Sequence, residues 1–144
     1  MLHGPNLDAL GSREPEIYGR ETLEDVDRAL RDLGRELGCE VESRQTPHEG
    51  VLIEALYRAR GHSAGVLLNP GGLTHTSVAL RDAVVGCGLP VVEVHVSNPH
   101  RREVFRQRSL VSGAVIATVQ GFGVDSYRLA LRGLAAHLTR GPEA

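Results

Sequence analysis

The sequence predicts an α/β domain whose centre is a doubly wound, five-stranded parallel sheet. Apolar runs of strand length alternate with longer segments whose apolar residues recur every three or four positions. Short turns rich in Gly, Pro and Asn separate these segments, and no repeat interrupts them. Five alternating strands require right-handed crossovers with helices on both faces of the sheet. The flavodoxin-like fold is the common five-stranded form of this architecture.

Composition limits the kinds of protein this chain can be. With 144 residues, 41% of them hydrophobic, we expect one domain spanning residues 1–144. The net charge of -2 and the aromatic content of 3% disfavour a nucleic-acid partner, and no apolar run reaches the length of a membrane span. Cys39 and Cys87 have neither metal-site nor disulfide-framework spacing, so we expect a reduced, cytoplasmic protein.

The amino-terminal third is expected to contain one strand and one helix. Met1-Leu2-His3 is predicted to end a strand that is expected to begin upstream, and Gly4-Pro5-Asn6 is a turn. Residues 11–19 are polar and bounded by glycines, so we expect a surface loop without helix or strand. Thr22 caps a helix to Leu37, and Gly38 ends it. The apolar positions of that helix are Leu23, Val26, Leu30, Leu33 and Leu37.

The middle of the chain supplies two further strands and two helices. Glu40–Gln45 is polar and is predicted to be an edge strand, and Val51–Arg60 is predicted to be a helix. Ser63–Leu68 is a continuous apolar run, typical of a strand buried on both faces. A third helix is expected to open within Thr74–Ser77 and to end near Gly86.

The last third is expected to complete the sheet. Pro90–Val96 and Ala114–Val119 are predicted strands, and Arg101–Ser109 between them is predicted to be a short charged helix. A closing helix is predicted over Val124–Leu138, with its apolar side on Tyr127, Leu131, Leu134 and Leu138. The tail from Arg140 to Ala144 is expected to fray.

The unusual polar residues follow the predicted strands. Ligands of open α/β sheets bind outside the carboxyl ends of the strands, so these residues are expected to share a cleft. They are Asn6 after strand one, Asn69 and His75 after strand three, and His95, Ser97 and Asn98 at the end of strand four. The loop of residues 11–19 lies at the same edge and could close over that cleft.

Two histidines and the loop are the candidates for chemistry. His75, at a predicted helix start, either helps bind an anion or is a solvated residue of a capping turn. His95 follows Glu93 by two residues, so a carboxylate could fix its tautomer for proton transfer; a buried structural histidine is the alternative. Tyr18 could act as a base if the cation of Arg13 favoured its phenolate; an ordinary solvated loop is the alternative.

Other kinds of site find less support. His75, His95 and His100 lack the spacing of a zinc site, so we expect no metal. Ser77 and Ser97 are not in a nucleophile-elbow sequence. Gly71-Gly72 is not followed by the Lys of a phosphate loop, and the chain contains no Lys.

Several ordered motifs resemble one family over nearly the whole chain, the type II 3-dehydroquinate dehydratases. The motifs are His3-Gly-Pro-Asn-Leu7, Arg13-Glu-Pro-Glu-Ile-Tyr18-Gly19, Asn69-Pro-Gly-Gly-Leu-Thr-His-Thr-Ser-Val-Ala-Leu-Arg-Asp82, Glu93-Val-His-Val-Ser-Asn98 and Arg102-Glu-Val-Phe-Arg106. Asp8-Ala9 and Pro99 depart from the pattern of the family, but no residue with an assigned chemical role is altered.

The resemblance implies an activity without metal or organic cofactor, the anti elimination of water from 3-dehydroquinate to give 3-dehydroshikimate. It implies that Tyr18 removes the proton beside the ketone while Arg13 holds it as phenolate. It further implies that Asn6 binds a water that stabilises the enolate, and that His95 protonates the leaving hydroxyl. A non-catalytic flavodoxin-like domain that binds a small anion or signals is the alternative, as is an inactive relative.

The resemblance also implies substrate-binding residues and an assembly. Arg102 would be a second lid residue, and Asp82 would reach the site of a neighbouring subunit in a homododecamer built as a tetramer of trimers. The remaining substrate-binding residues would be Asn69, His75, Val96, Ser97 and Arg106, with the substrate carboxylate near the backbone amides of Val96 and Ser97.

Overall fold

A computed structural model describes residues 1–141 and contains one five-stranded parallel sheet. The strands are β1 (Leu2–His3), β2 (Arg44–Gln45), β3 (Val66–Asn69), β4 (Val91–His95) and β5 (Ala117–Gln120). Their order across the sheet is β2-β1-β3-β4-β5, and every neighbouring pair is parallel. The predicted flavodoxin-like fold is confirmed.

Five helices connect and cover the strands. They are α1 (Pro15–Tyr18), α2 (Leu23–Glu36), α3 (Glu49–Ala59), α4 (Val78–Gly86) and α5 (Asp125–Arg140). The cap predicted at Thr22 explains where α2 starts: the Thr22 hydroxyl accepts from the Asp25 amide while the Asp25 carboxylate accepts from the Thr22 amide. Among residues 1–141, no helix has both the length and the apolar character needed to cross a bilayer.

The strand side chains alternate between two cores, one on each face of the sheet. One core packs α2 and α5 against β3 and β4, and the other packs α3 and α4 against the opposite face. Leu67, Val92 and Val94 belong to the first core, and Val66, Leu68 and Val91 belong to the second. This arrangement explains why every residue of β3 and β4 is buried and why Val66–Leu68 is a continuous apolar run. Leu138, predicted on the apolar side of α5, is instead 39% exposed at its end.

The prediction that residues 11–19 contain no helix is wrong, because Pro15–Tyr18 forms one helical turn. Pro15 occupies the first helical position, where its fixed φ suits a helix and its missing N–H costs nothing. Glu14 enters the turn at φ 40°, and Gly19 leaves it at φ 82°, which an L side chain adopts with strain. A short helical turn therefore carries Tyr18.

Several predicted boundaries also move. β2 covers two residues rather than the predicted 40–45, since its partner β1 offers only Leu2 and His3 for pairing. β5 begins at Ala117 rather than Ala114, because 112–114 forms a 3-10 turn. The predicted charged helix 101–109 is replaced by 3-10 turns at Pro99–Arg101 and Val104–Arg106, with Arg102 extended between them.

Smaller shifts affect the helices. α3 starts at Glu49, two residues earlier than predicted, and α4 starts at Val78 because Ser77 caps it by accepting from the Leu80 amide at 2.9 Å. The segment Gly71–His75 is a separate 3-10 turn. α5 continues through Arg140, which corrects the prediction of fraying there; the rest of that prediction, at 142–144, lies outside the described residues.

Candidate active site

The carboxyl ends of β1, β3 and β4 open into one cavity of about 190 Å³. The strands lie side by side, so the turns that follow them meet at the same edge of the sheet. Ten of the eleven predicted site residues line this cavity: Asn6, Arg13, Tyr18, Asn69, His75, His95, Val96, Ser97, Arg102 and Arg106. The eleventh, Asp82, lies outside the cavity on the exposed side of α4.

The turn after β1 delivers Asn6 to the cavity. The amide of Gly4 donates to the carbonyl of Asn69 at 2.8 Å, which ties this turn to the end of β3. A Cβ on Gly4 would lie 2.7 Å from the Pro70 carbonyl oxygen, so the close approach of the two turns requires glycine. Asn6 has φ 69°, a left-handed conformation that Asn adopts more readily than most residues.

Two guanidinium groups flank the ring of Tyr18. The Cζ atom of Arg13 lies 5.6 Å from the ring centroid, and that of Arg102 lies 5.3 Å from it. Arg102 also donates from Nη1 to the Ser97 hydroxyl at 3.3 Å, so it connects the segment 11–19 to the end of β4. This pairing places two positive charges beside the phenol.

His95 is bound to a buried carboxylate. Its Nε2 lies 2.7 Å from Oε1 of Glu93, which is fully buried two residues earlier on the same face of β4. Since an ionised carboxylate only accepts, Nε2 carries the proton of this bond, and Nδ1 is the nitrogen left for a substrate. The tautomer control expected from sequence is thus present.

Three hydroxyl groups complete the environment of Glu93. The carboxylate accepts from Thr74, from Ser112 at 2.7 Å, and more weakly from Ser109 at 3.4 Å. Burial raises the pKa of Glu93, but the hydrogen bonds from His95, Thr74 and Ser112 outweigh burial and hold that pKa below its ordinary value of 4.5. Glu93 is therefore a stable negative charge behind His95.

His75 and Asn69 are fixed by local hydrogen bonds. Nδ1 of His75 donates to the Arg108 carbonyl at 2.7 Å, which leaves Nε2 for a ligand. His75 ends a 3-10 turn and does not start α4, so the predicted position at a helix N-terminus is wrong. Asn69 accepts from the Gly71 amide at 3.1 Å and donates to the Tyr127 hydroxyl at 2.7 Å.

The cavity carries positive charge. Arg13, Arg102 and Arg106 line it together with His75 and His95, and its lining residues include no Asp or Glu. Among residues 1–141, no three His, Cys, Asp or Glu side chains are grouped so that they could hold a metal ion. The electrostatics suit an anionic organic ligand held by guanidinium groups and backbone amides.

Comparisons with known proteins identify the family of this chain. The family profile described as Dehydroquinase class II matches residues 1–135. The chain belongs to this family. A 3-dehydroquinate dehydratase of Gloeobacter violaceus is 52% identical over 143 residues, which cover 99% of this chain and 89% of that protein. 3-Dehydroquinate dehydratase 1 of Corynebacterium efficiens is 55% identical over 141 residues, covering 97% of this chain and 93% of that protein.

The solved structures of class II dehydroquinases share the fold as well. The type II dehydroquinase of Propionibacterium acnes superposes with a TM-score of 0.91 at 43% identity, covering 94% of both chains. The resemblance inferred from the sequence motifs is confirmed. The alternative of a non-catalytic binding or signalling domain is not favoured. Both relatives are named 3-dehydroquinate dehydratase, and the matches cover 89% and 93% of their length.

Sequence reasoning missed the residues that support the site of this class II dehydroquinase. Thr74, Ser109 and Ser112 surround Glu93, and Tyr127 bonds Asn69. Tyr127 was predicted only as part of an apolar helix face. A signal was available there, since a tyrosine among leucines on a buried face needs a partner for its hydroxyl.

Proposed function

We propose that this chain catalyses the reversible anti elimination of water from 3-dehydroquinate to give 3-dehydroshikimate, through an enolate, in the shikimate pathway or in quinate breakdown. The observation that carries the proposal is that Tyr18 and His95, a candidate base and a candidate acid, line one cavity with three arginines. No metal or organic cofactor takes part in the proposed steps.

Tyr18 is the proposed base. Nearby positive charge favours a phenolate over a phenol. The guanidinium groups of Arg13 and Arg102, both within 6 Å of the ring centroid, supply that charge. The phenolate removes a proton from the carbon beside the ketone, and the electron pair of that C–H bond moves to the ketone oxygen.

Asn6 is proposed to stabilise the resulting enolate. Its left-handed turn at the end of β1 keeps the side chain at the mouth of the cavity, where it can bind a water against the enolate oxygen. A fixed donor of this kind acts where charge develops, so it favours the transition state over the ground state.

His95 is the proposed acid. When both ring nitrogens are protonated, Nδ1 holds the proton to be given and the Glu93 carboxylate balances the charge on the ring. As the enolate collapses, the carbon–oxygen bond breaks and the hydroxyl leaves with the proton of His95 as water. One proton is lost to Tyr18 and one is gained from His95, so the reaction is balanced without an added reagent.

The substrate carboxylate is proposed to lie at the backbone amides of Val96 and Ser97. Asn69, His75, Arg102 and Arg106 line the same cavity, and the guanidinium groups suit a carboxylate. Binding the anion at the end of β4 would leave the ring of the substrate between Tyr18 and His95.

A direct assay tests the function. Purified protein is mixed with 3-dehydroquinate, and the ultraviolet absorbance of the conjugated enone is followed. We expect absorbance to rise in proportion to enzyme concentration. If folded protein binds the substrate without any rise in absorbance, the catalytic function is excluded and the binding-domain alternative is supported.

We further propose a homododecamer, a tetramer of trimers, in which Asp82 reaches the cavity of a neighbouring copy. Val78, Asp82 and Val85 recur at four and three residues on α4, and the two valines are 59% and 64% exposed. An apolar stripe with one central carboxylate suits contact with a second copy, whose cavity is lined by arginines.

Two variants test this assembly. Val85→Glu should lower the mass measured by light scattering, because a charge would replace an apolar contact. Asp82→Asn should keep the mass of the assembly but lower kcat/KM. Full activity from a stable monomer would exclude a role for a neighbouring copy.

We also propose a cytoplasmic location. Cys39 and Cys87 are both free thiols, which fits a reducing compartment. Fluorescent fusion and cell fractionation test it, with recovery in a soluble cytoplasmic fraction expected.

A further inference from the structure

A buried polar chain leads from α2 to the substrate cavity. Nε2 of His3 on β1 lies 2.7 Å from Oδ1 of Asp27, and the His3 ring lies 5.6 Å from the ring of Tyr127, centroid to centroid. The Tyr127 hydroxyl then accepts from Nδ2 of Asn69, which lines the cavity. His3 and Tyr127 are fully buried, and the four residues of this polar network lie on four elements of the fold, α2, β1, α5 and β3.

The surroundings of Asp27 and Tyr127 determine their protonation states. Burial raises the pKa of Asp27, but the hydrogen bond and charge of His3 outweigh burial and keep the pKa below its ordinary value of 3.8. Burial also raises the pKa of Tyr127, so its hydroxyl stays protonated. Asp27 is thus an ionised acceptor beside His3, and Tyr127 keeps a neutral hydroxyl beside Asn69.

The Tyr127 ring joins the two parts of this polar network. Because the Asn69 amide nitrogen can only donate, the Tyr127 oxygen accepts in that bond and keeps its own hydrogen. The His3 ring packs against the Tyr127 ring with 5.6 Å between the centroids and 60° between the planes, and both rings are fully buried. The bond between Nε2 of His3 and Asp27 therefore holds a ring that limits where Tyr127 can lie.

These contacts fix the orientation of the Asn69 carboxamide. Its Oδ1 accepts from the Gly71 amide and one Nδ2 hydrogen goes to Tyr127, so the carboxamide cannot flip without losing both bonds. The second Nδ2 hydrogen is the group left for the cavity. Asn69 therefore presents a donor, which recognises an oxygen acceptor on the substrate such as a hydroxyl or carboxylate oxygen.

We propose that Asp27, His3 and Tyr127 are positioning residues that hold Asn69 as a hydrogen-bond donor to the substrate. The proposal rests on the proposed function for its substrate. The geometry of the chain is independent of it, so the orientation of Asn69 can be tested without turnover.

Tyr127→Phe removes the hydroxyl and keeps the ring. We expect KM to rise about tenfold, the equivalent of one hydrogen bond of ordinary strength, while kcat stays within about a factor of two. Tyr57→Phe, at an exposed tyrosine on α3, is the matched control and should change neither value. A merely structural role would lower thermal stability without this separation of KM from kcat.

The side-chain amide signal of Asn69 gives the second measurement. In the wild type we expect slow hydrogen exchange at Nδ2, and in Tyr127→Phe we expect exchange to become at least tenfold faster. Unchanged exchange would overturn the positioning role whether or not the protein is active. Absence of dehydration in the wild type with this signal intact would instead count against the proposed function.

A double-mutant cycle tests the remote end. Asp27→Asn should raise KM less than Tyr127→Phe, and the double variant should be no worse than Tyr127→Phe alone, because both act through Asn69. Asp32→Asn, exposed on the same helix α2, is the control. Additive effects, or an Asn69→Ala variant with unchanged KM, would overturn the proposal.

Discussion

Nε2 of His95 lies 2.7 Å from Oε1 of Glu93, a carboxylate with no exposed surface. The residues are two positions apart on β4, so the period of the strand places both side chains on the same face. The pair forms within one element, which explains why a sequence motif could predict it. What it does chemically depends on the cavity that faces the other side of the imidazole.

Replacing His95 should separate the two halves of the reaction. We expect His95→Ala to retain exchange of the proton beside the ketone, because Tyr18 remains, while loss of water falls by at least about 100-fold. Deuterium incorporation measured by NMR, beside the enone absorbance, distinguishes the steps. Loss of exchange with unchanged ligand binding would contradict this division between base and acid.

Replacing the base should affect turnover more than binding. Tyr18→Phe keeps the ring between Arg13 and Arg102 but removes the oxygen, so we expect kcat to fall by at least about 100-fold with KM little changed. Steady-state kinetics measure both values, with the exposed Tyr57→Phe as control. Near-normal turnover would exclude Tyr18 as the base.

The Glu93 carboxylate should make stability depend on acid pH. The pKa of Glu93 in the folded protein is lower than its ordinary value of 4.5. The stability that this carboxylate contributes is therefore fully present above pH 4.5 and is lost as pH falls through the folded pKa. We expect Glu93→Gln to reduce the free energy of unfolding at pH 7 by about 1–3 kcal/mol, since a buried charge-assisted network is disrupted.

Urea unfolding at several pH values checks the sign. The gap between wild type and Glu93→Gln should narrow as pH falls below 4.5, because the wild-type carboxylate also becomes neutral. The exposed Glu54→Gln on α3 provides a control with a small, pH-independent effect. A gap that widens toward low pH would contradict the assignment of Glu93 as a stabilised carboxylate.

The mobility of residues 11–19 stays a prediction, and ligand binding tests it. We expect the amides of this segment to exchange hydrogen quickly in the free protein and at least about tenfold more slowly with 3-dehydroshikimate bound, as for a closing lid. Hydrogen exchange measured by mass spectrometry should show no such change in α3. Slow exchange in both states would argue for a fixed loop.

The sequence by itself determined the fold and most of the site. Apolar periodicity and turn residues predicted five parallel strands, because the alternation of strand and helix leaves few other topologies. The strand-end residues Asn6, Asn69 and His95 were predicted to meet because parallel strands end at one edge. The pairing of His95 with Glu93 followed from the period of a single strand.

Tertiary structure alone decided which distant groups support these residues. Arg102 lies beside Tyr18 from an extended position between two short turns, where the sequence predicted a helix. Tyr127 meets Asn69 across 58 positions of sequence, and His3 meets Asp27 across 24. Contacts of this kind depend on how helices pack against the sheet, and packing involves distances that local periodicity does not encode.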